Sequence, residues 1–205
     1  LHLCDYNLEK ITDTNTTTTH NLLVDVCLAA KYEGESISGY YQQYRAKYED
    51  FNTTICTELA RSFADIGDIV RGKDLYLGKK KKKQNGKETE REKLEQKLKE
   101  IFKKIHDNLK DKEAKDRYKD DREKNYFQLR EDWWEANRET VWKAITRSAD
   151  KGNAYFHATC GDSGDEKHST LASNKCRCEK KRGTSGDGDV NIVPTYFDYV
   201  PQYLR

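Results

Sequence analysis

The sequence has no methionine and only two prolines among its 205 residues, and it contains no long apolar run. A membrane-spanning helix needs about 18 or more consecutive apolar residues, so we expect none here. The first ten residues lack the basic and then apolar regions of a secretory signal peptide. Because even position 1 is not methionine, we expect the chain to begin within a longer protein. The low proline content also excludes a proline-rich linker and a collagen-like repeat.

Hydrophobic residues make up only 35% of the chain, whereas charged residues make up 36%. The charges nearly cancel, since 38 Lys and Arg face 36 Asp and Glu. Binding to nucleic acid by net charge alone is therefore excluded, unless the basic residues are segregated into a patch. The 13 Tyr, 6 Phe and 3 Trp offset the shortage of aliphatic residues, because aromatic side chains bury large areas. We expect a folded protein with a thin aromatic core and long solvated stretches.

The cysteines favour disulfide bonds over a metal site. A small extracellular domain with a sparse core is often stabilised by disulfides, and two Asn-x-Thr sequons fit an extracellular location. The alternative is a zinc site formed by His157, His168 and the last three cysteines. The one-residue gap in Cys176-Arg177-Cys178 suits zinc poorly. The candidates for disulfides are Cys4, Cys27, Cys56, Cys160, Cys176 and Cys178.

Helical periodicity dominates the first three quarters of the chain. It predicts helices over residues 21–31, 36–50, 55–70, 94–109 and 126–148, and the second of these carries Tyr40, Tyr44 and Tyr48 along one side. Gly67 lies within an apolar stripe, which predicts a kink or a close contact at that point. The sequence therefore predicts an all-α fold.

The last predicted helix carries the largest aromatic residues. We place Phe127, Trp134, Val141 and Ile145 on its buried face. Trp133 and Trp134 are interpreted as core residues rather than as a platform for a ligand, because they lie on an amphipathic stripe.

A lysine-rich run at residues 79–87 divides the chain into a first helical part, residues 1–78, and a second part, residues 88–205. Adjacent like charges repel, and Asn85-Gly86 favours a turn, so we expect this run to be a loop. After residue 149 glycine and serine accumulate, which predicts a loop-rich end. Tyr203 and Leu204 are typical of the start of another helix.

Four blocks of sequence resemble the alpha class of Duffy-binding-like domains. These domains form the head of erythrocyte membrane protein 1, the variant surface antigen of the malaria parasite Plasmodium falciparum. The blocks are LHLCDYNLE at residues 1–9, DIGDIVRGKDLY at 65–76, REDWWEANR at 130–138 and DYVPQYLR at 198–205. They occur in order across the entire chain.

The resemblance implies helical subdomains with long variable loops, braced by disulfides, and a fragment that lacks the third subdomain. Many relatives have cysteine where this chain has Arg147. We therefore expect that one of Cys160, Cys176 and Cys178 is free or pairs beyond Arg205.

The resemblance also implies a non-enzymatic adhesion module on the extracellular face of the infected erythrocyte membrane, where it varies antigenically. Expected partners are erythrocyte or endothelial receptors in cytoadherence and rosetting, antibodies and an adjacent cysteine-rich interdomain region, but not nucleic acid. The alternative is a structural spacer that supports a neighbouring receptor-binding domain and has no ligand of its own.

No combination of residues predicts catalysis, a metal centre or a cofactor site. Two basic clusters instead suit a sulfated glycan such as heparan sulfate, whose dense negative charge flexible cations can neutralise. The simpler interpretation is that these clusters are solvated loops. The candidate glycan-binding residues are Lys79, Lys80, Lys81, Lys82, Lys83, Lys87, Arg177, Lys180, Lys181 and Arg182.

Overall fold

The structure, a computed structural model, describes Leu8, Cys160 and residues 19–47, 53–74, 89–118, 125–155, 171–178 and 192–205. Within these ranges the α-helices are α1 (Thr19–Lys47), α2 (Ile55–Arg71), α3 (Glu90–Asp107), α4 (Lys112–Arg117) and α5 (Phe127–Ile145). Two short 3-10 helices, Phe197–Tyr199 and Gln202–Leu204, follow. The described residues form isolated β-bridges but no strand, which confirms the all-α prediction. None of their helices has the length and apolar character needed to cross a bilayer.

Helix α1 joins the two helices predicted over residues 21–31 and 36–50. No proline separates them, and the residues around Gly34 and Gly39 remain helical. One side of α1 is buried through Leu22, Val26 and Ile37. The predicted tyrosine side is exposed at Tyr40 and Tyr44, whereas Tyr48 lies outside the described residues.

Helix α2 lies at the centre of the fold, with nearly all of its residues buried. It begins at Thr54, whose hydroxyl accepts a hydrogen bond from the Thr57 amide at 3.3 Å. It ends at Gly72, which has a φ of 74°, the left-handed conformation that glycine adopts readily. At Gly67 the predicted alternative of a close contact is confirmed, because a Cβ there would lie 2.8 Å from the Trp134 ring. Glycine allows Trp134 to pack directly on the α2 backbone.

Helix α3 confirms the apolar stripe that follows the lysine-rich run. Leu94, Leu98 and Phe102 are buried on it. A reciprocal capping box starts the helix: the Glu92 amide donates to the Thr89 hydroxyl, and the Thr89 amide donates to the Glu92 carboxylate. In the described part of the charged stretch that follows, residues 108–118, the short helix α4 buries no residue.

Helix α5 confirms that the tryptophans belong to the core, since Trp133, Trp134 and Trp142 are at most 4% exposed. Phe127 is different from the prediction, because it is 46% exposed. It is the first residue of the helix, and the preceding Tyr126 takes the buried position instead, in a left-handed conformation with its ring 5.4 Å from that of His106.

The Cys56–Cys176 disulfide ties the loop-rich end to α2, and a second disulfide, Cys160–Cys178, lies within that end. The expectation that Arg147 would leave one of the last three cysteines without a partner in this chain is wrong. Cys176 bonds to Cys56 in α2, and Cys178 bonds to Cys160, so all three are paired without a cysteine at position 147. The 3-10 turn at Gln202–Leu204 leaves Tyr203 and Leu204 exposed where another helix was predicted to start.

The crossing of α1 and α5 gives a stability prediction. A Cβ on Gly34 would lie 2.0 Å from the backbone oxygen of Ile145, so Gly34→Ala must push the two helices apart. We expect a loss of about 1–3 kcal/mol in the free energy of unfolding. Gly39 lies in the same helix with nothing within 4 Å of such a Cβ, and Gly39→Ala should be neutral or stabilising. Urea unfolding of the two variants measures the difference, and equal effects would contradict the proposed contact.

Candidate functional site

The structure describes one of the ten candidate glycan-binding residues, Arg177. Its Nε donates to the Thr146 hydroxyl at 2.7 Å, and its Nη2 donates to the Lys143 carbonyl at 2.6 Å. The guanidinium therefore caps the carboxyl end of α5 by a hydrogen bond to a carbonyl of its last turn. The other nine candidates, at residues 79–83, 87 and 180–182, lie outside the described residues.

Around Asp198 the structure brings together three of the four blocks quoted above. The buried Asp198 carboxylate accepts two hydrogen bonds from Arg138, each 2.8 Å long, and a third from the Trp134 indole at 2.9 Å. Arg71 of α2 donates to the Asp198 carbonyl. The Arg138 guanidinium also lies 5.3 Å from the centre of the Tyr199 ring. Asp198 thus fixes the end of the chain to both α2 and α5.

A second buried arginine, Arg130, joins α5 to α2 and α3. Its guanidinium donates to the carbonyls of Val70 and Ile69 at the end of α2, at 2.6 and 3.1 Å. It also makes a two-pronged ion pair with Glu95 of α3, with distances of 2.7 and 2.8 Å. Because the carbonyls at a helix end have no partner within the helix, Arg130 satisfies groups that would otherwise be buried and unpaired.

Arg205, the last residue of the sequence, belongs to the same set of internal contacts. We call the contacts of Asp198, Arg130 and Arg205, together with the two disulfides, the frame. Arg205 pairs with Asp65 at 3.0 Å and with Asp68 of α2, and its Nε donates to the Val200 carbonyl at 2.8 Å. Burial raises the pKa of Asp65 to about 6, and the neighbouring carboxylates of Asp68 and Asp74 add to the rise, whereas Arg205 opposes it. Burial also raises the pKa of Asp68.

Asp65 makes stability depend on pH in a defined window. Its pKa is higher in the folded state, at about 6, than the unperturbed 3.8. The folded state therefore binds the extra proton, and the contribution of Asp65 to stability falls as pH rises between these values. Asp65→Asn removes this titration. We expect the variant to gain stability relative to the unmodified protein as pH rises from about 4 to about 6, and to run parallel to it above that range. Thermal melts across the window test this, and a pH-independent difference would contradict it.

The cysteines of the alternative zinc site are used in disulfides. Cys160, Cys176 and Cys178 carry no thiolate to bind a metal, while His157 and His168 lie outside the described residues. Cys27 was predicted as a disulfide candidate, but it carries a free thiol, while Cys4 lies outside the described residues. Burial raises the pKa of Cys27 to about 11, so its thiol is neutral at physiological pH and a poor nucleophile. Within the described ranges, no group of three or more His, Cys, Asp or Glu side chains could hold a metal ion.

Sequence reasoning missed the buried arginines. Arg130, Trp134 and Arg138 follow one another at four-residue spacing, which places them on the same side of α5. Arginine is rarely buried without a partner, and the partners Glu95 and Asp198 lie far away in the sequence. The available signal was the position of both arginines on the tryptophan-bearing face.

Comparison with known proteins identifies the family. The family model for the Duffy binding domain matches residues 1–205. The chain belongs to the Duffy binding domain family. A search of curated proteins found no match for this Duffy binding domain.

Solved structures of PfEMP1 from Plasmodium falciparum resemble this Duffy binding domain over nearly its full length. The NTS-DBL1-alpha and CIDR-gamma double domain from the varO strain is 39% identical, with a TM-score of 0.68, over 99% of this chain and 25% of that one. The varO NTS-DBL1(alpha-1) domain is also 39% identical, with a TM-score of 0.67, over 99% of this chain and 40% of that one.

A more distant class of the same antigen is similar too. The ICAM-1-binding DBLbeta domain of PfEMP1 IT4var13 is 31% identical, with a TM-score of 0.63, over all of this chain and 39% of that one. This Duffy binding domain thus spans a quarter to two fifths of the chains that it matches across nearly its full length.

Proposed function

We propose that the chain is an adhesion module of a parasite antigen displayed on the infected red cell, where it binds a host surface receptor or glycan. Family membership supports this, and so does the similar DBLbeta domain whose structure was solved bound to ICAM-1. That structure is 37% identical, with a TM-score of 0.55, over 71% of this chain and 33% of that one. The observation that carries the proposal is the family match over the whole chain.

The frame described above suits this role. The Asp198 and Arg130 networks and two disulfides fix the helices and the chain end through internal contacts. Residues on the surface, outside these contacts, can then be substituted without loss of the fold. A binding module with variable loops, exposed to antibodies, needs this separation of frame and surface.

For the ligand we propose a sulfated glycan of the heparan sulfate type. The lysine-rich run at residues 79–87 supplies dense positive charge in a chain whose net charge is only +2. Charge attraction of this kind weakens as salt increases. We therefore propose that this domain attaches to host-cell glycans in a salt-sensitive way, and that rosetting uses this attachment.

Chromatography on immobilised heparin tests the proposed glycan binding. We expect the purified protein to bind at low salt and the variant K79S/K80S/K81S/K82S/K83S to elute earlier. If the unmodified protein flows through, heparan sulfate binding is wrong. In that case the alternative of a spacer is examined by receptor binding with and without the cysteine-rich interdomain region that follows in the varO double domain.

A further inference from the structure

Five basic residues lie on two adjoining segments at the carboxyl end of α5, and these segments are distant in the sequence. Three belong to the end of the helix and the turn after it, and two belong to residues 171–178. We name this set the α5-end patch; its members are Lys143, Arg147, Lys151, Lys175 and Arg177. We propose that the α5-end patch is a binding surface for a sulfated polysaccharide, an inference that rests on the glycan-binding function proposed above.

Hydrogen bonds hold the two segments side by side. The Lys175 ammonium donates to the Arg147 carbonyl at 3.2 Å, and Arg177 donates to the Lys143 carbonyl at 2.6 Å. Lys151 and Asn174 form an antiparallel β-bridge. Residues paired in such a bridge have Cα atoms about 5 Å apart. The patch is therefore produced by the fold and is invisible in the linear sequence.

Covalent bonds and the core fix the position of the second segment. Cys176, between the two basic residues, is bonded to Cys56 of α2, and its carbonyl accepts a hydrogen bond from the Trp142 indole at 3.1 Å. Cys178 is bonded to Cys160. A surface held in this way loses little conformational entropy in its backbone when a ligand binds.

The patch divides into cations that the fold or a nearby carboxylate uses and cations whose charge no described carboxylate balances; Lys175 belongs to the second group although it also donates to the Arg147 carbonyl. Arg177 satisfies a carbonyl at the end of α5, where the helix dipole would otherwise repel an anion. Lys143 pairs with Glu139 on the exposed side of the helix. Arg147 and Lys151 are exposed, and within the described part of the chain no carboxylate pairs with them or with Lys175.

The chemistry favours a sulfated polysaccharide over nucleic acid. Proteins that bind single strands combine basic residues with aromatic rings on which bases stack. Among the described residues, no member of the α5-end patch lies over an aromatic ring. A sulfated chain needs only several cations near one another, and Arg147, Lys151 and Lys175 lie on adjoining segments.

The test compares two neutralised triple variants by heparin affinity at about 0.15 M salt. R147Q/K151Q/K175Q removes the three cations of the second group and keeps side chains of similar polarity. The matched control K103Q/K110Q/K112Q removes three exposed lysines of α3 and the region after it. Each contact with a dense polyanion contributes roughly fivefold to affinity at this salt concentration, so the patch variant should bind on the order of 100-fold more weakly. The control should stay within a few-fold of the unmodified protein.

The outcomes separate this inference from the function on which it rests. If the unmodified protein does not bind heparin, the glycan-binding function is wrong. If it binds and both triple variants, with unchanged thermal melts, lose the same affinity, the function stands and the α5-end patch is wrong. Single-stranded DNA that competes with heparin equally per charge would also overturn the choice of a sulfated ligand.

Discussion

Asp198→Ala should destabilise the protein by about 3–5 kcal/mol, the cost of removing one partner from a buried ion pair. The Arg138 guanidinium, 5% exposed, would keep only the Thr195 carbonyl at 3.0 Å as a hydrogen-bond acceptor among its described contacts. The Trp134 indole would also lose its acceptor. For a chain of this length the melting temperature should fall by roughly 10 °C.

The control for this variant is Glu139→Ala, one residue beyond Arg138. Glu139 also forms an ion pair, with Lys143, but both side chains are nearly half exposed. Exposed pairs contribute about 0–1 kcal/mol, so this variant should melt close to the unmodified protein. Urea unfolding followed by circular dichroism gives both values. If Asp198→Ala and Glu139→Ala have equal effects, Asp198 does not hold the chain end as described.

The helices of this fold could largely be predicted from the sequence, but their exact limits could not. Apolar spacing predicted α2, α5 and most of α3, because helices bury residues at regular intervals. The same spacing divided α1 into two, since no local signal showed that residues 32–35 continue the helix. It also placed Phe127 on the buried face, because periodicity does not show how far neighbouring elements cover the first turn of a helix.

Long-range pairing was beyond sequence reasoning. Six cysteines allow 15 complete pairings, and the spacing of Cys160, Cys176 and Cys178 does not choose among them. The buried arginines are a similar case, since Asp198 lies 60 residues from Arg138. The α5-end patch depends on the same contacts, so only Arg177 of its members was among the sequence candidates.

The frame gives a physical meaning to three of the blocks that carry the family resemblance. DIGDIVRGKDLY contributes Arg71 and the close contact at Gly67, REDWWEANR contributes Arg138, and DYVPQYLR contributes Asp198. The side chains that make these contacts are turned inward, toward one another. Residues that recognise a ligand should therefore be sought between these blocks, as in the α5-end patch.

Removal of the Cys56–Cys176 disulfide should have the largest effect on stability of any change considered. The two cysteines are 120 residues apart and both are fully buried. Closing a loop of this length in the unfolded chain is worth about 5 kcal/mol in the chain-entropy description. The Cys160–Cys178 bond closes 18 residues and should contribute about 3 kcal/mol.

The comparison of two double variants, C56A/C176A and C160A/C178A, tests whether loop length decides these contributions. Both remove one buried or nearly buried disulfide, so packing losses largely cancel, and C56A/C176A should be less stable by about 2 kcal/mol. Because Cys176 also anchors the segment that bears Lys175 and Arg177, this variant should bind heparin more weakly at temperatures where it remains folded. Equal stabilities would show that the bond between α2 and the loop-rich end does not act by restricting the unfolded chain. If full reduction left the melting temperature unchanged, the disulfides would not contribute to the stability of the frame.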